Sequence, residues 1–100
     1  MAKLERDFQP EVVKRIKNEF PGCIIVKNDA NYKQGIPDLL ILFRDKWAAL
    51  EVKKTEPGPS DYRPNQEWYI ERMTEMSYAS VIYPENFERV IDDLRRALRP

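Results

Sequence analysis

"GIPDLLILFRDKWAALEVKK", residues 35–54, decides the fold. Its two apolar runs, "DLLILF" and "WAALEVK", are separated only by "RDK". A connection that short joins antiparallel neighbours, so the stretch is a β-hairpin, apolar enough to be buried on both faces. Yet it carries Asp38, Glu51 and Lys53. Strand side chains alternate, which puts Glu51 and Lys53 on one face about 6–7 Å apart and Leu50 and Val52 on the other. Asp38 follows Pro37 and opens the first strand; whether it lies beside Glu51 depends on the register and on any bulge. An isolated Glu-x-Lys is usually a solvated strand edge. Here the flanking residues are apolar, and unpaired buried charge costs several kcal/mol, so stability alone does not account for these three residues. Two carboxylates brought close raise each other's pKa unless a cation lies between them. Oxygen donors on rigid strands suit magnesium or manganese, and a lysine two residues along can hold a water or stabilise charge on a phosphate.

Working outward, Phe8, Val12, Val13, Ile16 and Phe20 recur at helical spacing and predict a helix over about residues 7–19, with Pro10 delaying its regular start to Asp7 or later. "CIIVK", 23–27, is a strand and "NDANYKQGIP" a loop. "KTEPGPSDYRPN", 54–65, holds three prolines and a glycine among charged residues and predicts a flexible surface loop beside the charged strand. Asn65 is positioned to cap a helix over "QEWYIERMTEM", in which Trp68, Tyr69, Met73 and Met76 have helical spacing. Trp47, Trp68 and Tyr69 are expected in the core. "YASVIY" is a fourth strand, and Pro84 opens a last helix with an apolar stripe of Phe87, Val90, Ile91, Leu94 and Leu98 and with Arg95, Arg96 and Arg99 near its C-terminal end. The order αβββαβα predicts one α/β domain, a three-layer sandwich with a central four-stranded mixed sheet and helices on both faces.

One hundred residues suffice for one core, and 17 basic residues balance 17 acidic ones. The balance is uneven along the chain: 11 basic and 8 acidic residues up to Lys54, 6 and 9 after it. Neutral net charge argues against a tight non-specific grip on a polyanion, which needs several basic contacts. With one cysteine and no histidine, neither an intrachain disulfide nor a zinc centre of the usual ligand types is available. The N-terminal stretch lacks the apolar segment of a signal peptide, and no apolar run reaches the ~18 residues of a membrane span. These features predict a cytoplasmic protein with no membrane partner and no organic cofactor.

"GIPD", with twelve residues between its Asp and "EVK", resembles the PD-(D/E)xK nuclease superfamily, and the element order is similar to that superfamily's restriction-endonuclease-like core. "NDANYKQGIPDLLIL", "WAALEVKK" and "PNQEWYIERM" resemble small phage-type nucleases near the VRR-NUC and Holliday-junction-resolvase branches. The resemblance spans about residues 5–90. It implies that Asp38, Glu51 and the backbone carbonyl of Val52 hold a magnesium ion, or manganese as a substitute, while Lys53 acts on water or phosphate. It also implies a helix carboxylate, matched by Glu5 in "ERDFQ" with Gln9 one turn along and Glu11 as a rival, and a glutamine reaching toward the site, matched by Gln66. Lys27, Lys33, Lys54 and Arg63 are candidates for contacts to DNA phosphates, and Tyr32 and Tyr62 for stacking on bases.

The function this implies is a magnesium-dependent DNA endonuclease acting on branched or structured DNA and leaving a 5′-phosphate and a 3′-hydroxyl. A homodimer would double its footprint. Two rivals come from other classes. One is a catalytically inactive nucleic-acid-binding or assembly module with the same fold, against which intact Asp38, Glu51 and Lys53 count; the other is a plain α/β interaction domain.

Overall fold

A computed structural model describes residues 5–29 and 31–99, with the side chains of Glu5 and Arg6 outside the described set. The hairpin forms as expected from strands β2 (Leu39–Phe43) and β3 (Lys46–Val52), with Leu39 opposite Leu50 and Phe43 opposite Lys46. Its turn is Arg44–Asp45, one residue shorter than "RDK", because Arg44 adopts φ 59° and reverses the chain in two residues. β1 (Ile24–Lys27) pairs antiparallel with the outer edge of β2. β4 (Tyr78–Ile82) pairs parallel with β3, a pairing that requires a crossover, supplied by helix α2 (Gln66–Met76). The mixed sheet therefore runs β1-β2-β3-β4.

Alternation along the strands sorts side chains between two helical layers. Leu39, Ile41, Phe43, Ala48, Leu50, Val52 and Ile82 face α1 (Glu5–Glu19) and α3 (Phe87–Leu98) and form one core with Phe8, Val12, Ile16, Phe20, Val90, Ile91, Leu94 and Leu98. Edge-to-face ring pairs fix the contacts: Phe8 with Phe87 at 5.4 Å and Phe20 with Phe43 at 5.3 Å. Ion pairs join the two helices, Arg15 to Glu88 through two hydrogen bonds and Arg95 to Glu19 likewise. Ala49, Glu51, Ala79 and Val81 face the other way, toward α2. The arrangement is the three-layer α/β sandwich that the element order predicts.

Several boundaries and burials differ from expectation. α1 begins at Glu5 and contains Pro10, because the burial of Phe8 against Phe87 holds the turn before the proline in place despite the lost hydrogen bond. α3 is preceded by a separate 3-10 turn, Pro84–Asn86. Only β3 is buried on both faces; β2 alternates, leaving Leu42 36% exposed. Trp68 and Met76 are 56% and 65% exposed rather than core, since α2 turns Gln66, with half-buried Tyr69, Ile70 and Met73, toward the sheet. Trp68 instead packs edge-on against Tyr69 and lies under the Arg72 guanidinium. Trp47 is half-buried. Among the described residues, no helix is long and apolar enough to cross a membrane.

Candidate active site

The charged residues meet where β2 begins and β3 ends. Continuing the observed register one step beyond Leu39–Leu50 sets Asp38 opposite Glu51, on the α2 face of the sheet, without a bulge. Asp38 is tied on both sides. Its carbonyl accepts from the Asn28 amide at 2.8 Å, and its Oδ2 accepts from the Val52 amide at 2.9 Å. Burial pushes its carboxyl above the usual carboxylate range, and the Val52 amide together with the positive fields of Lys53 and Arg63 pulls partly back.

Glu51 is 2% exposed. Its Oε2 accepts from Gln66 Nε2 at 2.7 Å and lies 3.6 Å from Lys53 Nζ. Gln66, the first residue of α2 and itself buried, spans the pair: its Oε1 accepts from Lys53 Nζ at 3.1 Å and from the Arg63 amide at 2.8 Å. Only this orientation of the amide matches donor to acceptor on both sides, since the reverse would turn its NH2 toward an ammonium. Lys53 Nζ also donates to the Asp61 carbonyl at 3.2 Å and sits 5.9 Å from the centroid of the Tyr62 ring, while its backbone amide extends the pairing with β4 through the Ile82 carbonyl. Asp38, Glu51, Lys53 and Gln66 are thus gathered at one sheet end, with Val52 between them.

The remaining candidates are dispersed. Lys54 and Arg63 are exposed and line one cleft with Lys53. Lys33 and Tyr32 are exposed in the loop before Gly35. The register puts Lys27 opposite Leu39, so its side chain leaves the sheet on the face away from Glu51. Gln9 is half-buried and Glu11 exposed on α1, which packs on that same opposite face. Glu5 opens α1, and its side chain lies outside the described residues.

Two supports escape a reading of the sequence alone. Asn28 Nδ2 donates to the Pro37 carbonyl at 2.8 Å, clamping the approach to Asp38. Gly35, at φ 91°, packs so closely on the start of α2 that a Cβ there would lie 2.6 Å from the Pro64 carbonyl oxygen and 2.7 Å from Asn65. The loop before Asp38 is thereby pressed against the residues that aim Gln66. Asn65 follows with φ 71° and no side-chain capping bond, so it marks the helix start by backbone shape.

Among the described residues no three acidic, histidine or cysteine side chains form a metal cluster. The donors the sheet does align, two carboxylates and a peptide carbonyl, are all oxygen and fit a hard divalent cation. Such a cation would also favour the ionised form of Asp38 that burial disfavours.

A mixed four-stranded sheet between helices, with Asp and Glu-x-Lys at the hairpin's open end, defines a nuclease fold of the restriction-endonuclease-like class. No family model matches the chain, and no curated protein matches its sequence. Among solved structures it is similar to a VRR-NUC domain, of a PD-(D/E)xK nuclease family, with a TM-score of 0.59 and 26% sequence identity over 90% of this chain and 97% of that one. The resemblance carried by "GIPD" and "EVK" therefore extends to the fold over 90% of the chain.

Proposed function

We propose that the chain is a metal-dependent endonuclease that hydrolyses phosphodiester bonds in DNA, with Asp38, Glu51, Lys53 and Gln66 as its working residues. The observation that carries this is the register placing Asp38 opposite Glu51 while Gln66 bridges Glu51 to Lys53. Asp38, Glu51 and the Val52 carbonyl would hold magnesium or manganese, which when bound supplies Lewis acidity toward the phosphate and a more acidic water. The chain's own groups do the rest. Lys53 Nζ has three acceptors around it, and Glu51, at 3.6 Å, is the farthest, so the hydrogen facing Glu51 is the one free to turn toward a water or a phosphate oxygen. That water, giving a proton to a carboxylate, attacks phosphorus in line; the P–O3′ bond breaks, and the leaving 3′-oxygen takes a proton from solvent. Lys53 stabilises the charge gathering on the phosphate, and Gln66 keeps Glu51 from swinging away. The superfamily resemblance implies a 5′-phosphate and a 3′-hydroxyl as products and branched DNA as substrate, and since the chain is neutral overall a homodimer would double its footprint on DNA.

The test is digestion of linear, nicked, flapped and four-way DNAs with magnesium, manganese, calcium or EDTA. Cleavage in magnesium and manganese, with binding but little turnover in calcium, is the expected result. Equal cleavage in EDTA removes the metal, and no cleavage of any DNA leaves a binding module. In the same assay Glu5→Gln is expected to lose more activity than Glu11→Gln; the reverse order moves the helix carboxylate to Glu11.

A further inference from the structure

The loop between β3 and α2 walls two clefts beside the hydrolytic site, the first of which shares Lys53 with it. The first, about 210 Å³, is lined by Lys53, Lys54 and Arg63 together with Thr55, Pro57 and Asp61. The Asp61 carboxylate accepts from the Gly58 amide at 2.8 Å, in the 3-10 turn Pro59–Asp61, so the cleft sets three cations against one carboxylate and is net positive. The second, about 310 Å³, is lined by Pro57, Pro59, Tyr62 and Ile70, with Glu67 and Glu71 beside them. Pro57 belongs to both clefts, and the Lys53 ammonium 5.9 Å from the Tyr62 ring centre marks their border.

The clefts differ in what they accept. Lys54 and Arg63 attract an anion, whereas Glu67 and Glu71 repel one and accept hydrogens from amino groups. Proline rings, Ile70 and the Tyr62 face offer a flat apolar surface of the kind bases stack on, largely independent of sequence. An anion joined to a flat ring bearing N–H donors is a nucleotide. Its base reaches Tyr62 only if it has left its helix, because paired bases are stacked out of reach. The wall is also tied to the site: Lys53 Nζ donates to the Asp61 carbonyl and Gln66 Oε1 accepts from the Arg63 amide, so the clefts are indexed to Glu51 and Lys53.

We propose that this loop binds one unpaired nucleotide, its phosphate between Lys54 and Arg63 and its base on Tyr62. Resting on the nuclease assignment above, the branched DNA proposed there is then held at one unpaired nucleotide beside the cut.

Fluorescence anisotropy in EDTA, with a labelled eight-nucleotide dA strand and a blunt duplex, tests this beside cleavage of flapped and nicked DNA in magnesium. Tyr62→Ala is expected to weaken single-strand binding about tenfold, the loss of one base stack, and to leave duplex binding unchanged. Tyr62→Phe keeps the aromatic face and should bind as the parent does, whereas Tyr62→Leu, which keeps bulk without the face, should behave as Tyr62→Ala. In Tyr62→Ala flap cleavage should fall further than nick cleavage, so that the ratio of flap to nick cleavage drops about tenfold. Single-strand binding indifferent to Tyr62, or equally weakened by Tyr62→Phe, overturns the proposal even if DNA is cut. Tyr62-dependent binding with no DNA cut sustains the nucleotide cleft and rejects the nuclease assignment instead.

Discussion

Gln66 Nε2 donates to Glu51 Oε2 at 2.7 Å, and both residues are buried. One amide thereby joins the acid of β3 to the start of α2 and, through Oε1, to Lys53 and the loop. Gln66→Ala removes this joint and leaves a buried carboxylate and a buried ammonium each short of a hydrogen bond, at a cost of about 1–3 kcal/mol each. A lower melting temperature and a reduced cleavage rate are expected together. Gln66→Glu puts a second carboxylate beside Glu51 and should be at least as damaging; if either variant melts and cuts as the parent does, the joint has no function.

Asp38→Asn should abolish cleavage while raising the melting temperature in EDTA. The Val52 amide can still donate to the asparagine oxygen, so the hydrogen bond at 2.9 Å survives, while a charge that burial disfavours is removed. Thermal melts in EDTA and digestion in magnesium check the two halves separately. A variant that melts lower would mean that the charge of Asp38 supports the fold.

Gly35→Ala is expected to destabilise the protein and to slow cleavage, although residue 35 touches no reacting group. Its φ of 91° strains any side chain, and the added Cβ would meet the Pro64–Asn65 backbone, which is not a flexible side chain that can move aside. Relief requires α2 to shift at its first residue, Gln66. An alanine variant with parental stability and rate would show that the loop and helix start can separate freely.

This glycine also shows where the sequence stops informing. The hairpin, the element order and the shared face of Glu51 and Lys53 follow from alternation and short connections, which are local features. Asp38 beside Glu51 depends on the register, and Gln66 comes only from the family resemblance. That Gly35 presses on Pro64, or that Asn28 clamps Pro37, depends on segments far apart in sequence that only the folded sheet brings together. Trp68 and Met76 failed for a related reason: helical spacing gives the stripe, but which stripe turns inward depends on what the sheet presents, and here it presents Glu51 and Lys53 to Gln66. Pro10 was overestimated as a helix breaker because its local cost is offset by a distant ring, Phe87.

Stability should fall steeply in acid through Glu19. Hydrogen bonds from Arg95, and then from Arg15, hold its carboxyl below the ordinary value of 4.5. A depressed folded pKa contributes stability that is fully present above the unfolded value and lost as pH falls through the folded one. Glu19→Gln should therefore melt lower than the parent at pH 7 and show a shallower loss below pH 4.5. At the alkaline end Tyr78, half-buried and donating to Asp93 at 3.0 Å, is pushed up to about 12, so its contribution is complete below pH 10 and disappears toward pH 12. Tyr78→Phe should flatten that alkaline limb, and a parental alkaline profile in Tyr78→Phe would remove Tyr78 as its source.

Lys53→Met tests why a buried strand end carries an ammonium at all. Methionine keeps much of the volume and the apolar stem, so β3 should pack normally, but Gln66 and the Asp61 carbonyl lose their donor and Glu51 its neighbouring cation. If the lysine served only to neutralise Glu51, the effect would be confined to stability. If it serves the reaction, transition-state stabilisation drops by roughly 2–4 kcal/mol, the usual loss on removing one preorganised donor. The rate then falls by a factor of about 10² or more. Lys53→Arg separates the two roles further: it preserves the charge near Glu51, but its planar, bulkier head cannot fit three acceptors arranged around a single nitrogen. Restored melting temperature with unrestored cleavage in Lys53→Arg is the expected result, and a fully active Lys53→Met would deny the residue any part in catalysis.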